Sequence, residues 1–229
     1  MMSERKNTLV PYAGVLRQFW ASPPGKLCCL HGSNAVFQLS LNVASRGLAA
    51  GIPMTLIDGT NRFDLYYIAE FARRLADRQP PALRRSPEEF LQNIYVSRAF
   101  TCFQMEAVIT DRLPAFVEKR RSPVVMIFGL LDTFYDEQAP LHEARAGLQR
   151  IIATLQALKQ HNVALLLASL DLRPASDERK TLFPTLAAAM DWVYNVESTE
   201  KGRWILKEEG KNVPPRYQEH EGREVKSSW

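Results

Sequence analysis

Five short, mostly apolar runs recur along the chain: KLCCLHG at 26–32, PMTLIDG at 53–59, NIYVSRA at 93–99, PVVMIFG at 123–129 and NVALLLASL at 162–170. A strand that reads as an unbroken apolar run, without alternation, must be covered on both of its faces. Helix-length segments separate these runs, with apolar residues spaced by three and four. In PLHEARAGLQRIIATLQALKQHN, Leu141, Ala144, Leu148, Ile151, Ile152, Leu155 and Leu158 form one stripe, and Glu143, Arg145, Gln149 and Lys159 lie off it. Strands alternating with helices build βαβ units, so the pattern predicts a three-layer α/β/α fold around a mostly parallel sheet. Beyond Pro184, DWVYNVE and GRWILKEEG flank a polar turn centred on Lys201 and Gly202, which predicts an antiparallel hairpin extending that sheet.

A chain of 229 residues has room for one full α/β domain. Its boundaries are expected as an N-terminal segment at 1–24, a core at 25–210, and a tail at 211–229 without fixed structure. ADRQPPALRRSPEEF (76–90) reads as an exposed insertion between a helix and the next strand. No apolar run approaches the roughly 20 residues that a membrane span needs, so no membrane partner is expected. The opening MMSERKNTLVPY has no signal-like apolar region, and Cys28 and Cys29 sit side by side in a predicted strand. Both features favour a reducing cytoplasm without disulfides. A net charge of +4 is compatible with a polyanionic partner but weak for a dedicated nucleic-acid module.

In open sheets of this kind, ligands bind beyond the carboxyl ends of the strands, which directs attention to residues 31–38, 58–64, 97–103, 129–137 and 169–180. Four features there occur in a telling order: CCLHGSNAVFQLSLNVASRGLAAG, a strand ending LIDGTNRFD, NIYVSRAFTCFQMEAVI with its RAF junction, and PVVMIFGLLDTFYDE before a long helix. Over 25–210 this order resembles the ATPase core of the RecA-like superfamily, especially the archaeal and eukaryotic recombinases and their paralogues. The resemblance implies a phosphate loop of the form G-x-x-x-x-G-K-[ST], whose backbone amides, lysine and hydroxyl hold phosphates and Mg²⁺. Laid on this chain, Gly32 leads the loop and Ser33 and Asn34 follow, but Phe37, Gln38 and Leu39 stand where glycine, lysine and a hydroxyl belong. No register repairs it, because no lysine occurs between Leu27 and Glu118, and Ser40 comes one step late.

The resemblance also implies an aspartate at the end of the fourth strand, where this chain has Gly129, with Asp132 three residues later. Asp58 and Asp64 bracket the place of a catalytic glutamate without filling it. Phosphoryl transfer depends on charge compensation by these groups. The expectation is therefore a RecA-like pseudo-ATPase with no cofactor. The alternative is a divergent, DNA-dependent ATPase that takes ATP and Mg²⁺ through Gly32, Ser33, Asn34 and backbone amides, with Arg46 or a neighbouring subunit's arginine in place of the lysine.

The remaining features admit plainer readings. Asp132, Asp136 and Glu137 could hold a metal, yet a solvated loop before a helix explains them as well. Phe134 and Tyr135 are expected to cover the end of the sheet. The four histidines have no metal-ligand spacing. Of the cysteines, Cys102 alone sits at a strand tip. Leu16, Phe19 and Trp20 either dock on a partner or pack on the chain's own core. Arg173, Arg179 and Lys180 fall in the segment 171–184, where the resemblance implies DNA contact, although Asp171, Asp177 and Glu178 oppose it. The function expected is that of a non-hydrolysing accessory protein, similar to a recombinase paralogue. It would bind a RecA-like or repair protein, and DNA as a further partner, during DNA repair and recombination. A pure interaction protein, resembling the RecA-like cell-division inhibitor or mutagenesis-associated relatives, is the third reading.

Overall fold

The structure is a computed structural model that describes residues 9–11, 19–20, 24–135, 139–171, 174, 176–198 and 204–209. Eight strands are formed by β1 (Leu9–Pro11), β2 (Lys26–Gly32), β3 (Met54–Asp58), β4 (Ile94–Arg98), β5 (Val124–Phe128), β6 (Ala164–Leu170), β7 (Trp192–Ser198) and β8 (Trp204–Glu209). They make one sheet in the order β1-β8-β7-β2-β6-β5-β3-β4. The six strands from β7 to β4 are parallel. β8 runs antiparallel to β7, and β1 antiparallel to β8.

Leaving β2, the chain moves outward to β3 and β4 through α1 (Ala35–Ala49), α2 (Leu65–Ala76) and the short α3 (Pro87–Leu91). It then returns through β5, β6 and β7 by way of α4 (Cys102–Ala107), α5 (Leu113–Arg120), α6 (Leu130–Phe134), α7 (Leu141–Gln160) and α8 (Leu182–Ala188). Parallel crossovers are right-handed, so a reversal of direction along the sheet forces the returning helices onto the opposite face. Two cores result. Val36, Leu39, Leu48, Ile68 and Phe90 pack against Leu56, Met126 and Leu166 on one face. Met105, Ile109, Leu148, Ile151 and Leu155 pack against Ile57, Ile127 and Leu167 on the other. Successive strand residues point to opposite faces, which is why the apolar runs do not alternate.

Local signals set the helix starts. Asp64 accepts from the amides of Tyr66 (2.9 Å) and Tyr67 (3.1 Å) at the start of α2. Ser86 and Glu89 form a reciprocal capping box on α3. That box lies within 76–90, whose side chains are largely exposed as expected, with Phe90 turned into the core.

All seven strands anticipated from the sequence are present, as is the C-terminal hairpin, whose turn at Lys201 and Gly202 lies outside the described residues. The segment 211–229 lies outside them too. Several short elements were not anticipated, among them α3 within 76–90 and α6 after Gly129. β1 places part of the 1–24 segment in the sheet, and a single π turn (Val108–Arg112) joins α4 to α5. Both are too short to leave a periodicity in the sequence.

Leu148 is fully buried on α7. Leu148→Ala is expected to lower stability by about 2–5 kcal/mol, read from the urea unfolding midpoint.

Candidate functional site

The carboxyl edge of the sheet carries the segment from Gly32 to Leu39. β2 ends at Gly32 with φ 132°, and a Cβ there would collide with the Val196 carbonyl oxygen of β7. The amide of Ser33 donates to that same oxygen at 3.1 Å, and its hydroxyl lies 3.3 Å away. The loop is thus stitched to β7, and α1 begins three residues after Gly32. The Phe37 amide points back to Asn34 O at 3.3 Å as part of the first helical turn. Phe37 is buried, its ring 5.3 Å from that of Phe128 and covered on another side by the Arg62 guanidinium at 5.8 Å. Leu39 is fully buried, and Gln38 and Asn34 face solvent. Ser40 donates to Val36 O at 2.7 Å. Phe37 and Leu39 are therefore taken up by packing, and Gln38 by the solvent face of α1.

Gly129 follows β5 in the left-handed region, with φ 67°. Its amide donates to Ala168 O at 2.8 Å, and a Cβ would strike the Thr60 side chain. Thr60 is held there by Asp58, whose carboxylate accepts from the amides of Thr60 (3.1 Å), Arg62 (3.1 Å) and Phe63 (2.9 Å). Asp58 thus shapes the loop after β3, and Asp64 caps α2. Asp132 lies in the first turn of α6, with Oδ2 unpartnered among the described residues. Burial pushes its carboxyl up to about 6, against the opposing pull of its own amide and of Arg62. Asp136 and Glu137 lie outside the described residues, and among those residues no His, Cys, Asp and Glu group is arranged to hold a metal.

The same edge holds a cluster that spacing arguments passed over. His31 is fully buried at the end of β2, with Nδ1 2.7 Å from Asp171 Oδ1 and Nε2 3.0 Å from Glu209 Oε2. Asn195 of β7 donates to Asp171 Oδ2 at 3.3 Å. Four chain-distant segments meet there. The available signal was that His31 and Asp171 each follow an apolar run to its carboxyl end; Glu209, at the end of antiparallel β8, gave none.

The DNA-contact candidates divide. Arg173 lies outside the described residues. Arg179 is buried, donating to Phe134 O at 2.5 Å and to Ala139 O, so it joins two loops and its guanidinium does not face a phosphate. Lys180 pairs with Asp177 at 2.5 Å. Arg46 occupies the last turn of α1, where it donates to Asn42 at 3.0 Å. That end of a 15-residue helix is about 16 Å from the loop, too far to replace the missing lysine from within the chain. Phe134 and Tyr135 are buried beneath the sheet end as expected. Cys28, Cys29 and Cys102 are all buried, and burial pushes the Cys29 thiol up to about 12. Phe19 is in the core and Trp20 packs beside Gly47, while Leu16 lies outside the described residues.

Neither a protein-family model nor a curated protein matches this sequence. The fold and the edge geometry define a doubly wound α/β protein whose switch-point crevice, between the tips of β2 and β6, is closed by its own side chains.

Because the Asp132 carboxyl is raised above its ordinary value, its favourable contribution is present below pH 4 and is lost as pH rises through about 6. Asp132→Asn is expected to stabilise the protein by about 1–2 kcal/mol at pH 7.5 and to give little gain at pH 4, compared by urea unfolding at the two values. Arg179→Ala strands two buried carbonyls and is expected to cost about 2–3 kcal/mol in the same assay.

Proposed function

We propose that this chain is a RecA-like accessory protein, similar to a recombinase paralogue, that does not hydrolyse ATP and acts by binding a protein partner in DNA repair or recombination. The observation that carries the reading is Phe37, which fills the space beside Phe128 with an aromatic ring where a phosphate loop needs open backbone. The strand order supports the RecA-like part, since the strand bearing the degenerate loop lies between β6 and β7, with Gly129 at the tip of β5 just beyond β6. An internal substitute for the lysine finds no support in Arg46. ATP and Mg²⁺ therefore rank below a cofactor-free reading.

Support for a protein partner comes from the outer strand β4. Its edge carries no neighbouring strand among the described residues, and Val96, Phe100 and Phe103 are 40%, 55% and 52% exposed. Beside it runs a cleft of about 280 Å³ lined by Ile57, Tyr95, Val96, Val108, Leu113 and Phe116. Arg120 lies 4.8 Å above the Tyr95 ring. An unguarded edge strand next to an apolar cleft suits addition of an extended segment from another chain. DNA ranks second, because Arg179 is committed to backbone carbonyls. The interaction-only readings, akin to the cell-division inhibitor or to mutagenesis-associated relatives, share this edge and differ in the partner.

Calorimetric titration with Mg-ATP is expected to give no heat of binding at sub-millimolar concentrations. A micromolar dissociation constant overturns the nucleotide-free reading. In affinity capture from the native host, Val96→Arg is expected to release the partner that the parent chain retains. Retention by both variant and parent removes β4 from the account.

A further inference from the structure

We propose that His31 is held as an imidazolium and acts as a charge latch that fastens β8, and through it β1, to the centre of the sheet. β8 is two strands away from β2, with β7 between them. Glu209 therefore reaches across β7 to meet His31 Nε2, while Asp171, leaving β6 on the other side, meets Nδ1. The trio bridges β6, β2, β7 and β8: His31 and Asp171 lie at the carboxyl edge, while Glu209, opposite Val193, reaches diagonally from the far end of antiparallel β8. A neutral imidazole has one N–H and one lone pair, so with a carboxylate at each nitrogen one contact would set lone pair against lone pair. Only the doubly protonated ring donates to both partners, and with His31 fully buried no water can serve in their place.

Among the described residues, the one other cation near this row, Lys207, is engaged elsewhere. From β2, the Cys29 thiol two residues back stays protonated, its ionisation displaced to about 12 by burial. From β6 comes the Ser169 hydroxyl, and from β7 the Asn195 amide, which donates to Asp171. α8 offers the edge of the Phe183 ring, 4.8 Å from the imidazole. Lys207 of β8 lies opposite Asn195, in the same row as His31, and is paired with Glu197 of β7 at 3.0 Å. Burial alone would lower the histidine's affinity for its proton, and the hydrogen bonds and charges of Asp171 and Glu209 more than reverse this, to about 9. A value raised from 6.5 means that the latch is fully closed below about pH 6.5 and opens as pH passes through 9.

Loss of the proton leaves one carboxylate facing a lone pair. The contact to Glu209 is the longer of the two, whereas Asp171 is also held by Asn195 and by its own amide, which donates to Gly32 O at 3.0 Å. Glu209 is thus the side that lets go. β8 then keeps its backbone ladder to β7 and the buried Leu206, and β1 has β8 as its strand partner among the described residues. Asp171 and Glu209 also stand at the roots of the segments that follow β6 and β8, so one proton ties both roots to β2.

The test uses the full chain. With ¹⁵N-histidine labelling, the His31 ring is expected to show both nitrogens protonated at pH 7.5 and to titrate near 9. In hydrogen exchange at pH 7.5, Glu209→Gln is expected to speed exchange at the β8 amides Leu206 and Lys207 at least tenfold, with β5 and β6 unchanged. His31→Gln is expected to do the same, and to erase the effect of Glu209→Gln when the two are combined. A neutral ring at pH 7.5 in the parent protein overturns the latch, as does parental β8 protection in Glu209→Gln. Should His31→Gln fail to fold, the parent titration and Glu209→Gln decide the matter by themselves.

Discussion

β2 passes β7 at Gly32 so closely that the Val196 carbonyl oxygen occupies the space of a side chain. Much of the carboxyl edge follows from that approach. The Ser33 amide takes up the same oxygen, α1 begins at once, and the residues after the glycine enter a helix instead of a loop. A helical first turn directs side chains onto the sheet, so an aromatic at Phe37 is stabilised by Phe128. Gly129 is constrained in a comparable way by Thr60, which Asp58 anchors. Gly32 is thus required by the Val196 backbone, and Gly129 by the Thr60 side chain and its own left-handed φ.

Much of the architecture was legible in the chain because apolar runs without alternation admit few arrangements. Seven strands and the long helix α7 came from pattern alone, with the buried stripe Ala144, Leu148, Ile151, Leu155 and Leu158 as read, and Gly147 added to it. β1 was not legible: three residues ending in proline carry no period, and their pairing depends on β8, nearly 200 positions later. The π turn was equally silent, since it adds one residue to a continuous helical pattern.

For the edge residues, the sequence showed which residue types are absent but not what the residues present do. Missing lysine and aspartate can be counted, whereas the positions of Phe37, Arg46 and Arg179 depend on the fold. Arg179 reads as a surface cation in a mixed-charge loop, yet it is drawn inward by two carbonyls that no motif announces. The His31 cluster was hidden for a related reason. Its three members come from separate segments, and only strand order brings them together. Their arrangement contrasts with Asp132: one buried group has two opposite charges beside it and keeps its own, while the other, with an unpartnered oxygen, is biased towards neutrality.

The pairing of β1 with β8 also sets where the described chain begins and ends in space. Leu9 lies opposite Lys207, so the first and last described strands are neighbours at one margin of the sheet. β4 forms the opposite margin, seven inter-strand steps or about 34 Å away. A fluorophore, surface anchor or fused domain joined next to either of those strands would therefore crowd the same side of the molecule and leave the β4 margin clear.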